Sequence, residues 1–240
     1  MKKLCLLLLL FLSHFLLMPL ETTHAKGKQE PVPDTVADSH SKYTAYFQTN
    51  SGRYCTAILI SSTAALTARH CVGREPAERV GTIYPGQNGD KRPFGYMNIR
   101  TYIPNPNPKY DIAILKGTER DQDEFYKYYI RKFSTTVKGY TDEEFRAFMG
   151  QDAYAYGYPH GKQFRNNVQY RSDGKITSYK TKPILYLLTD MPAFSGQSGS
   201  GVFKKDGQFL GIMVTRTKKN TANILPFTES IAKWINENAK

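Results

Sequence analysis

Short apolar runs separated by turn residues fill the first half of this chain, and they restrict the folds open to it. Between residues 42 and 118 no long amphipathic helical pattern occurs, and Gly, Pro, Asn and Ser recur every few positions. Regularly spaced short runs of this kind are typical of antiparallel β structure. We therefore predict a small barrel or a sandwich, with strands at residues 43–48, 56–60, 64–67, 81–84, 96–102 and 112–115.

The second half repeats this pattern after an interruption. Residues 119–150 are charged and helix-prone, and Thr141 with Glu144 forms a capping-box pattern ahead of an apolar stretch. We predict a helix-containing linker there, between an N-terminal β unit at 41–118 and a C-terminal unit at 151–240. The C-terminal unit is strand-rich to about residue 224 and ends in a helix over 229–239, capped by Thr228.

The N-terminus carries a different signal. Residues 1–25 combine two early lysines, an apolar run and a polar end, which is typical of a secretory signal peptide; a single-pass anchor is the weaker alternative. Residues 26–40 are polar, Pro-punctuated and aperiodic, so we predict a flexible leader or a short propeptide. No other stretch is apolar enough to span a bilayer. The chain is therefore predicted to be secreted and extracellular.

Composition and charge exclude several classes of protein. A hydrophobic fraction of 40% over 240 residues supports one sizeable core or two smaller ones. The net charge of +12 is dispersed without a basic–aromatic module, so we predict a solvated surface and no specific nucleic-acid partner, with weak adhesion to anionic polymers as the alternative. No residue spacing resembles a zinc site or a calcium loop, so no metal or other cofactor is predicted.

Two cysteines remain once Cys5 is removed with the signal peptide. In an exported protein, Cys55 and Cys71 favour a disulfide, with two free thiols as the alternative. A bridge would clamp the backbone beside His70, and a loop of this size is worth about 3 kcal/mol in the chain-entropy model.

A segment rich in glycine and serine lies at residues 194–203, between two apolar runs. Its composition suggests a catalytic serine. A serine between glycines can be presented with bare backbone N–H groups, which is how a nucleophile with its own oxyanion hole is built. The alternative is an ordinary hairpin connection. None of the five histidines follows Ser198, so the serine–aspartate–histidine order of α/β-hydrolases is excluded. His160 lies in a predicted turn, where a surface or rim position is favoured over catalysis.

A base and a carboxylate occur at suitable places upstream. His70 follows an apolar run, and Asp111 begins another. An aspartate at a strand entry usually hydrogen-bonds its own backbone. An aspartate aimed at a histidine ring instead sets the tautomer of the ring and stabilises the imidazolium.

These segments together resemble a known family. Residues 67–71 (Thr-Ala-Arg-His-Cys), 110–115 (Tyr-Asp-Ile-Ala-Ile-Leu) and 196–200 (Gly-Gln-Ser-Gly-Ser) look like the signature blocks of the chymotrypsin-like serine proteases, closest to the bacterial glutamyl endopeptidase and exfoliative toxin branch. The resemblance implies an all-β fold of two six-stranded antiparallel barrels with a C-terminal helix. It also implies Ser198 as nucleophile, His70 as base, Asp111 as orienter, and Gly196 and Ser198 as oxyanion-hole donors.

The sequence departs from the family at the residues that set activation and specificity. Gln197 stands where trypsin-like members carry the aspartate that binds a new N-terminal amine, so that zymogen switch is unavailable. Pro192 replaces the trypsin-like specificity aspartate, and Ala193 and Met213 replace the threonine and histidine of the glutamyl branch. With Val214, Thr215 and Arg216 as further lining, we predict a moderately apolar pocket and a preference for an uncharged side chain, with attraction of an acidic residue by Arg216 at the rim as the alternative.

Two functions follow as hypotheses. The first is a secreted, monomeric serine endopeptidase that acts on protein or peptide substrates through an acyl-enzyme. The second is a protease-fold binding protein or toxin with an idle or gated site. The presence of His70, Asp111 and Ser198 favours the first, although a turned-over peptide at Gly196 would spoil the oxyanion hole without a trace in the sequence.

Overall fold

The computed structural model describes residues 27–240. The predicted signal peptide and Cys5 lie outside these residues. Within them, the strands are β1 (Lys28–Pro31), β2 (Thr44–Thr49), β3 (Tyr54–Leu59), β4 (Ala64–Thr67), β5 (Ala77–Pro85), β6 (Met97–Pro104), β7 (Ala113–Lys116), β8 (Asp152–Gly157), β9 (Tyr170–Lys180), β10 (Tyr186–Pro192), β11 (Gly201–Lys204), β12 (Phe209–Arg216) and β13 (Thr221–Pro226). The helices are α1 (Ser39–Tyr43), α2 (Glu124–Ile130), α3 (Asp142–Ala147) and α4 (Glu229–Asn238).

The first β unit is a barrel rather than a sandwich. Its six strands close in the order β2-β3-β4-β7-β6-β5, and all neighbouring strands are antiparallel. Side chains from every part of the barrel fill its interior, and Phe47, Leu66, Ile83 and Ile114 are completely buried. Closure removes the free edges that an open sheet would present to solvent. The predicted strands correspond to β2 through β7, which confirms the antiparallel interpretation.

One predicted strand was too short, for a physical reason. Strand β5 begins at Ala77, whereas the sequence pattern marked only residues 81–84. The pairing of β5 with β6 shifts register between Glu78 and Gly81, and Arg79 takes a positive φ of 52°. A bulge with exposed polar residues breaks the alternation of polar and apolar side chains by which a strand is recognised in sequence.

The second β unit is also a closed barrel of six strands. The sheet runs β9-β10-β13-β12-β11-β8, and β8 pairs with β9 to close it. The predicted fold, two six-stranded antiparallel barrels with a C-terminal helix, is confirmed. Hydrophobic residues of both units share one large cluster, which includes Phe47 and Ile114 from the first barrel and Phe203 and Ile212 from the second. The two units therefore pack against each other through apolar side chains.

Helices connect and complete the barrels. The predicted capping box begins α3, where the Thr141 side chain accepts the N–H of Glu144 and the Glu144 carboxylate accepts the N–H of Thr141. Thr228 caps α4, which buries Ile231 and Ile235. None of the helices within residues 27–240 is long and apolar enough to cross a membrane.

The N-terminal segment is ordered, contrary to the predicted flexible leader at 26–40. Strand β1 pairs antiparallel with β9 outside the closed barrel, with Gln29 opposite Ser172. Val32 and Thr35 are buried, and the Thr35 hydroxyl donates to the Gly86 carbonyl at 2.6 Å. Backbone pairing supplies this order, and because it does not depend on apolar periodicity it leaves little signal in the sequence.

His40 anchors the end of this segment. Its ring stacks on Phe203 with 3.8 Å between ring centroids, and its Nδ1 atom lies 2.7 Å from the Tyr154 hydroxyl. Burial lowers the pKa of His40, and the charge of Arg171 adds to this effect while Asp38 opposes it. The segment is thus packed against the second barrel at both of its ends.

Candidate active site

Two loops of the first barrel and one of the second bring the predicted catalytic side chains together. His70 lies in a single 3₁₀ turn, Arg69–Cys71, just after β4. Asp111 lies just before β7, the strand that pairs with β4. Ser198 lies before β11 on the second barrel. Because β4 and β7 are neighbours, their ends deliver the histidine and the aspartate to the same place.

The three side chains form a continuous hydrogen-bonded row. His70 Nδ1 lies 2.6 Å from Asp111 Oδ2, and His70 Nε2 lies 2.9 Å from Ser198 Oγ. The backbone N–H of His70 also donates to Asp111 Oδ1 at 2.9 Å. An ionised carboxylate only accepts, so the ring proton sits on Nδ1 and Nε2 is free to accept the proton of the Ser198 hydroxyl. This is an arrangement in which a serine can be deprotonated as it attacks.

The electrostatics keep Asp111 ionised. Burial acts to raise its pKa, but hydrogen bonds from the ring and backbone N–H of His70, together with the charges of His70 and Arg69, outweigh burial. The pKa of Asp111 therefore lies below its ordinary value. A carboxylate that stays charged can hold the ring tautomer and stabilise an imidazolium beside it.

The predicted disulfide is present and holds the histidine turn. Cys55 on β3 is bonded to Cys71, the last residue of the turn, and both residues are buried. The bridge joins residues 16 positions apart. In the chain-entropy model, closing a loop of this length stabilises the folded state by about 3 kcal/mol. It joins the turn to a strand of the barrel and so restricts the backbone on which His70 is mounted.

Two residues that the sequence analysis missed support the same turn. The guanidinium of Arg69 donates to the carbonyls of Asn105, Asn107 and Pro108, in the loop that leads to Asp111. The hydroxyl of Tyr102 lies 2.9 Å from the Arg69 carbonyl. Arg69 thus joins the histidine turn to the aspartate loop. Its partners are backbone carbonyls, which any residue has, so no sequence pattern could have identified them.

Close backbone contacts hold the loop before Ser198 in one orientation. Gly196 takes a φ of +91°, and a Cβ atom at this position would lie 2.3 Å from the Tyr158 carbonyl oxygen. The backbone N–H of His160 donates to the Ser195 carbonyl at 2.6 Å. A peptide's C=O and N–H point in opposite directions, so the N–H of Gly196 points away from His160. Within residues 27–240, neither this N–H nor that of Ser198 has a hydrogen-bond acceptor.

His160 is exposed, as expected of a residue in a rim turn. The sequence did not reveal the hydrogen bond that the backbone N–H of His160 makes. The N–H of His160 fixes the orientation of the peptide between Ser195 and Gly196, and this contact was invisible in sequence because it involves no side chain.

A cavity of about 340 Å³ adjoins the row. Its walls include five of the six residues predicted to bind substrate: Ala193, Met213, Val214, Thr215 and Arg216. Pro192 is not among the lining residues. It ends β10 opposite Thr221, with its ring beside Gly27. Pro192 is the last residue of β10 and pairs within the sheet, so the wall of the cavity begins at Ala193, one residue later than the family pattern implies.

The character of the cavity follows from these side chains. Ala193 and Met213 are almost fully buried and offer no hydrogen bond to a charged group. Arg216 is exposed at the rim, where it donates to the Asn220 side-chain oxygen. The side chains of Ala193, Met213 and Val214 therefore form an apolar part of the cavity, and the cation of Arg216 lies at its edge.

A larger groove continues on the other side of His70 and Asp111. It has a volume of about 980 Å³ and runs between residues 108–111 and residues 181–186. Ile184 is 47% exposed there, beside Lys109 and Lys182. His70 and Asp111 line both the groove and the smaller cavity, so the two spaces meet at these residues.

Comparison with known proteins agrees with this geometry. A family model described as a trypsin-like peptidase domain matches residues 55–212. None of the curated protein sequences compared with the chain matches it.

Solved structures have the same fold. A Glu endopeptidase in complex with MPD has a TM-score of 0.68 at 23% identity, covering 87% of this chain and 95% of that one. Protease Anisep from Arthrobacter nicotinovorans has a TM-score of 0.64 at 16% identity, covering 88% and 99%. A thermostable serine protease, AL20, from an extremophilic microorganism has a TM-score of 0.62 at 15% identity, covering 82% and 97%. At these identities the likeness establishes the fold.

Proposed function

This chain belongs to the trypsin-like peptidase family and is a serine endopeptidase, and from that premise we propose that it is secreted and cleaves peptide bonds through Ser198, His70 and Asp111. The observation that carries the proposal is the position of the His70 ring, 2.6 Å from the Asp111 carboxylate and 2.9 Å from the Ser198 hydroxyl. Each ring nitrogen then has the partner that its role in proton transfer requires.

The proposed reaction has two stages. Ser198 Oγ attacks the peptide carbonyl carbon while His70 Nε2 takes the hydroxyl proton, and the N–H groups of Gly196 and Ser198 stabilise the oxyanion. His70 then gives this proton to the departing amine, which leaves an ester on Ser198. Water attacks the ester, His70 takes its proton, and collapse of the second tetrahedral intermediate returns a proton to Ser198 Oγ and releases the acid. Asp111 stabilises the imidazolium in both stages.

The orientation of the Ser195–Gly196 peptide supports an active site rather than an idle one. A gated site would need this peptide turned over, with the Ser195 carbonyl occupying the space meant for the oxyanion. The 2.6 Å hydrogen bond from the N–H of His160 to that carbonyl supports the productive orientation. Export is supported by the Cys55–Cys71 disulfide, because disulfides persist in oxidising compartments.

A fluorophosphonate probe tests the proposed function. The probe reacts with a serine only where a base activates the hydroxyl and an oxyanion hole receives the phosphonyl oxygen. We expect stoichiometric labelling, which mass spectrometry of the digested protein places on Ser198. Chelators should not slow labelling, because no step uses a metal ion, and heat-unfolded protein should not be labelled. Absence of labelling in folded protein would contradict the proposal.

The pocket suggests a substrate preference. We propose that the residue on the acyl side of the scissile bond is uncharged, because a carboxylate between Ala193 and Met213 would be desolvated without a partner. In a peptide library, kcat/KM for apolar residues at this position should exceed that for glutamate by about tenfold or more. The variant Arg216→Ala should leave this order unchanged. Dominance of glutamate or aspartate substrates would show that the preference is wrong.

A further inference from the structure

We infer that Gln29, on the N-terminal strand β1, is a positioning residue for the oxyanion-hole loop and acts through the side chain of Gln197. Gln29 touches neither substrate nor any of the three side chains in the hydrogen-bonded row. The inference rests on the proposed function, because a loop can be positioned for catalysis only in an active enzyme. It assigns a role to a segment that the sequence pattern marked as a leader.

The contact is a network of three side chains. The amide nitrogen of Gln29 donates to Gln197 Oε1 at 3.1 Å and to Ser172 Oγ at 2.7 Å. The amide nitrogen of Gln197 lies 3.3 Å from the same Ser172 hydroxyl. Strand pairing places Gln29 opposite Ser172, so the ladder between β1 and β9 delivers the Gln29 amide to this point.

The network is largely buried, so each of its polar atoms depends on its hydrogen-bond partners within the protein. Gln197 and Ser172 are completely buried, and both hydrogens of the Gln29 amide are used within the network. A buried polar group that loses its partner bears the cost of its desolvation. Removal of the Gln29 amide therefore leaves Gln197 Oε1 and Ser172 Oγ each with one donor fewer.

Gln197 connects the buried network to the loop before Ser198 through two hydrogen bonds to Phe194. Its side-chain oxygen accepts the backbone N–H of Phe194 at 2.9 Å, and its own backbone N–H donates to the Phe194 carbonyl at 3.2 Å. These two bonds close the turn over residues 194–197, which contains the peptide between Ser195 and Gly196. A Gln197 side chain that turns to find another donor opens one of them, and the N–H groups of Gly196 and Ser198 are then less well aligned.

All three side chains of the network are neutral. An activation switch of the trypsin type instead pairs a charged N-terminal amine with an aspartate. Gln197 replaces the aspartate on which such a switch depends. Here a side chain within the strand supplies the donor, so no new terminus has to form at this position. A mature enzyme with full activity must, however, retain Gln29, and its N-terminus must lie at or before residue 29.

The opposite face of β1 provides a matched control. Lys28 and Glu30 flank Gln29 and form an ion pair at 2.7 Å, with side chains 66% and 59% exposed. The change Glu30→Ala alters the same strand and keeps the network. The change Gln29→Ala removes the network donor. The change Gln29→Glu keeps the length of the side chain but replaces its donor with an acceptor, so it separates hydrogen bonding from packing.

The experiment measures kcat, KM and the inhibition constant of a peptide boronate for the wild type and these three variants, with melting temperatures to verify folding. A boronate becomes tetrahedral on Ser198, so its affinity reports on the oxyanion hole. We expect Gln29→Ala and Gln29→Glu to lower kcat about tenfold or more, with a matching loss of boronate affinity and KM within about twofold. Glu30→Ala should equal the wild type in all three quantities.

Several results would overturn the inference. These are a kcat for Gln29→Ala within twofold of the wild type, an equal loss in Glu30→Ala, full activity in Gln29→Glu, or an active labelled enzyme whose N-terminus lies beyond residue 29. If Gln29→Ala is unfolded at the assay temperature, Gln29→Glu decides the question. A wild type that is folded but inert toward peptides and the fluorophosphonate would instead refute the proposed function, so the two failures are distinguishable.

Discussion

Ser198→Ala is expected to lower kcat by about 10⁶-fold, the loss typical of a serine hydrolase without its nucleophile. The alanine cannot form the acyl-enzyme, and His70 Nε2 loses the hydroxyl that lies 2.9 Å away. KM should change little, because the cavity and the groove are intact. A residual rate about 10³-fold above that in water should remain, supplied by the oxyanion hole and substrate binding.

The control for this variant is Ser134→Ala, which changes an exposed serine in the linker between the barrels. It should keep the wild-type kcat and the stoichiometry of probe labelling. Burst kinetics with an ester substrate provide a second measurement, since only an enzyme that accumulates an acyl intermediate shows a burst. Peptide hydrolysis by Ser198→Ala at more than about a hundredth of the wild-type rate, against the expected loss, would mean that another group is the nucleophile.

Asp111→Asn should have the second-largest effect, lowering kcat by about 10⁴-fold with the fold intact. The backbone N–H of His70 donates to Asp111 Oδ1, and this bond requires an oxygen in the variant too. The asparagine amide nitrogen must then take the place of Oδ2, 2.6 Å from His70 Nδ1. Two donors cannot face each other, so the ring proton moves to Nε2. His70 can then no longer accept the proton of Ser198.

Measurements of stability check that this loss is chemical. The pKa of Asp111 lies below its ordinary value, so its ionised form stabilises the folded state above about pH 4, and this contribution is lost as the pH falls through the folded pKa. The free energy of unfolding of Asp111→Asn should therefore fall less steeply than that of the wild type below about pH 4.

A distant carboxylate serves as the control for Asp111→Asn. Asp121 binds Arg100 through two oxygens, and its pKa is lowered to about 2, chiefly by this hydrogen bond. Asp121→Asn should change stability and its dependence on pH while leaving kcat at the wild-type value. A large loss of kcat in Asp121→Asn, or none in Asp111→Asn, would show that the roles are misassigned.

Whether an element could be predicted from the sequence depends on the interaction that holds it in place, which is either burial of apolar side chains or hydrogen bonding to backbone atoms. Strands β2, β4 and β7 were predictable because their buried side chains form apolar runs between turn residues. Strand β1 was not, since Gln29 and Glu30 are polar and the strand is held by backbone pairing on the outside of the barrel. The role of Arg69 was hidden for a related reason, because it binds only carbonyl oxygens.

The sequence by itself determined the antiparallel fold, the identity of the three side chains, and the chemistry they can perform. Periodicity sets which residues are buried, and side-chain type sets what His70, Asp111 and Ser198 can donate or accept. Only the tertiary structure decided that their atoms meet, that Pro192 lies outside the cavity, and that Gln29 touches Gln197 across 168 positions of chain. Such contacts depend on the register of paired strands and on the orientation of single peptides. Neither can be read from the local sequence around the site.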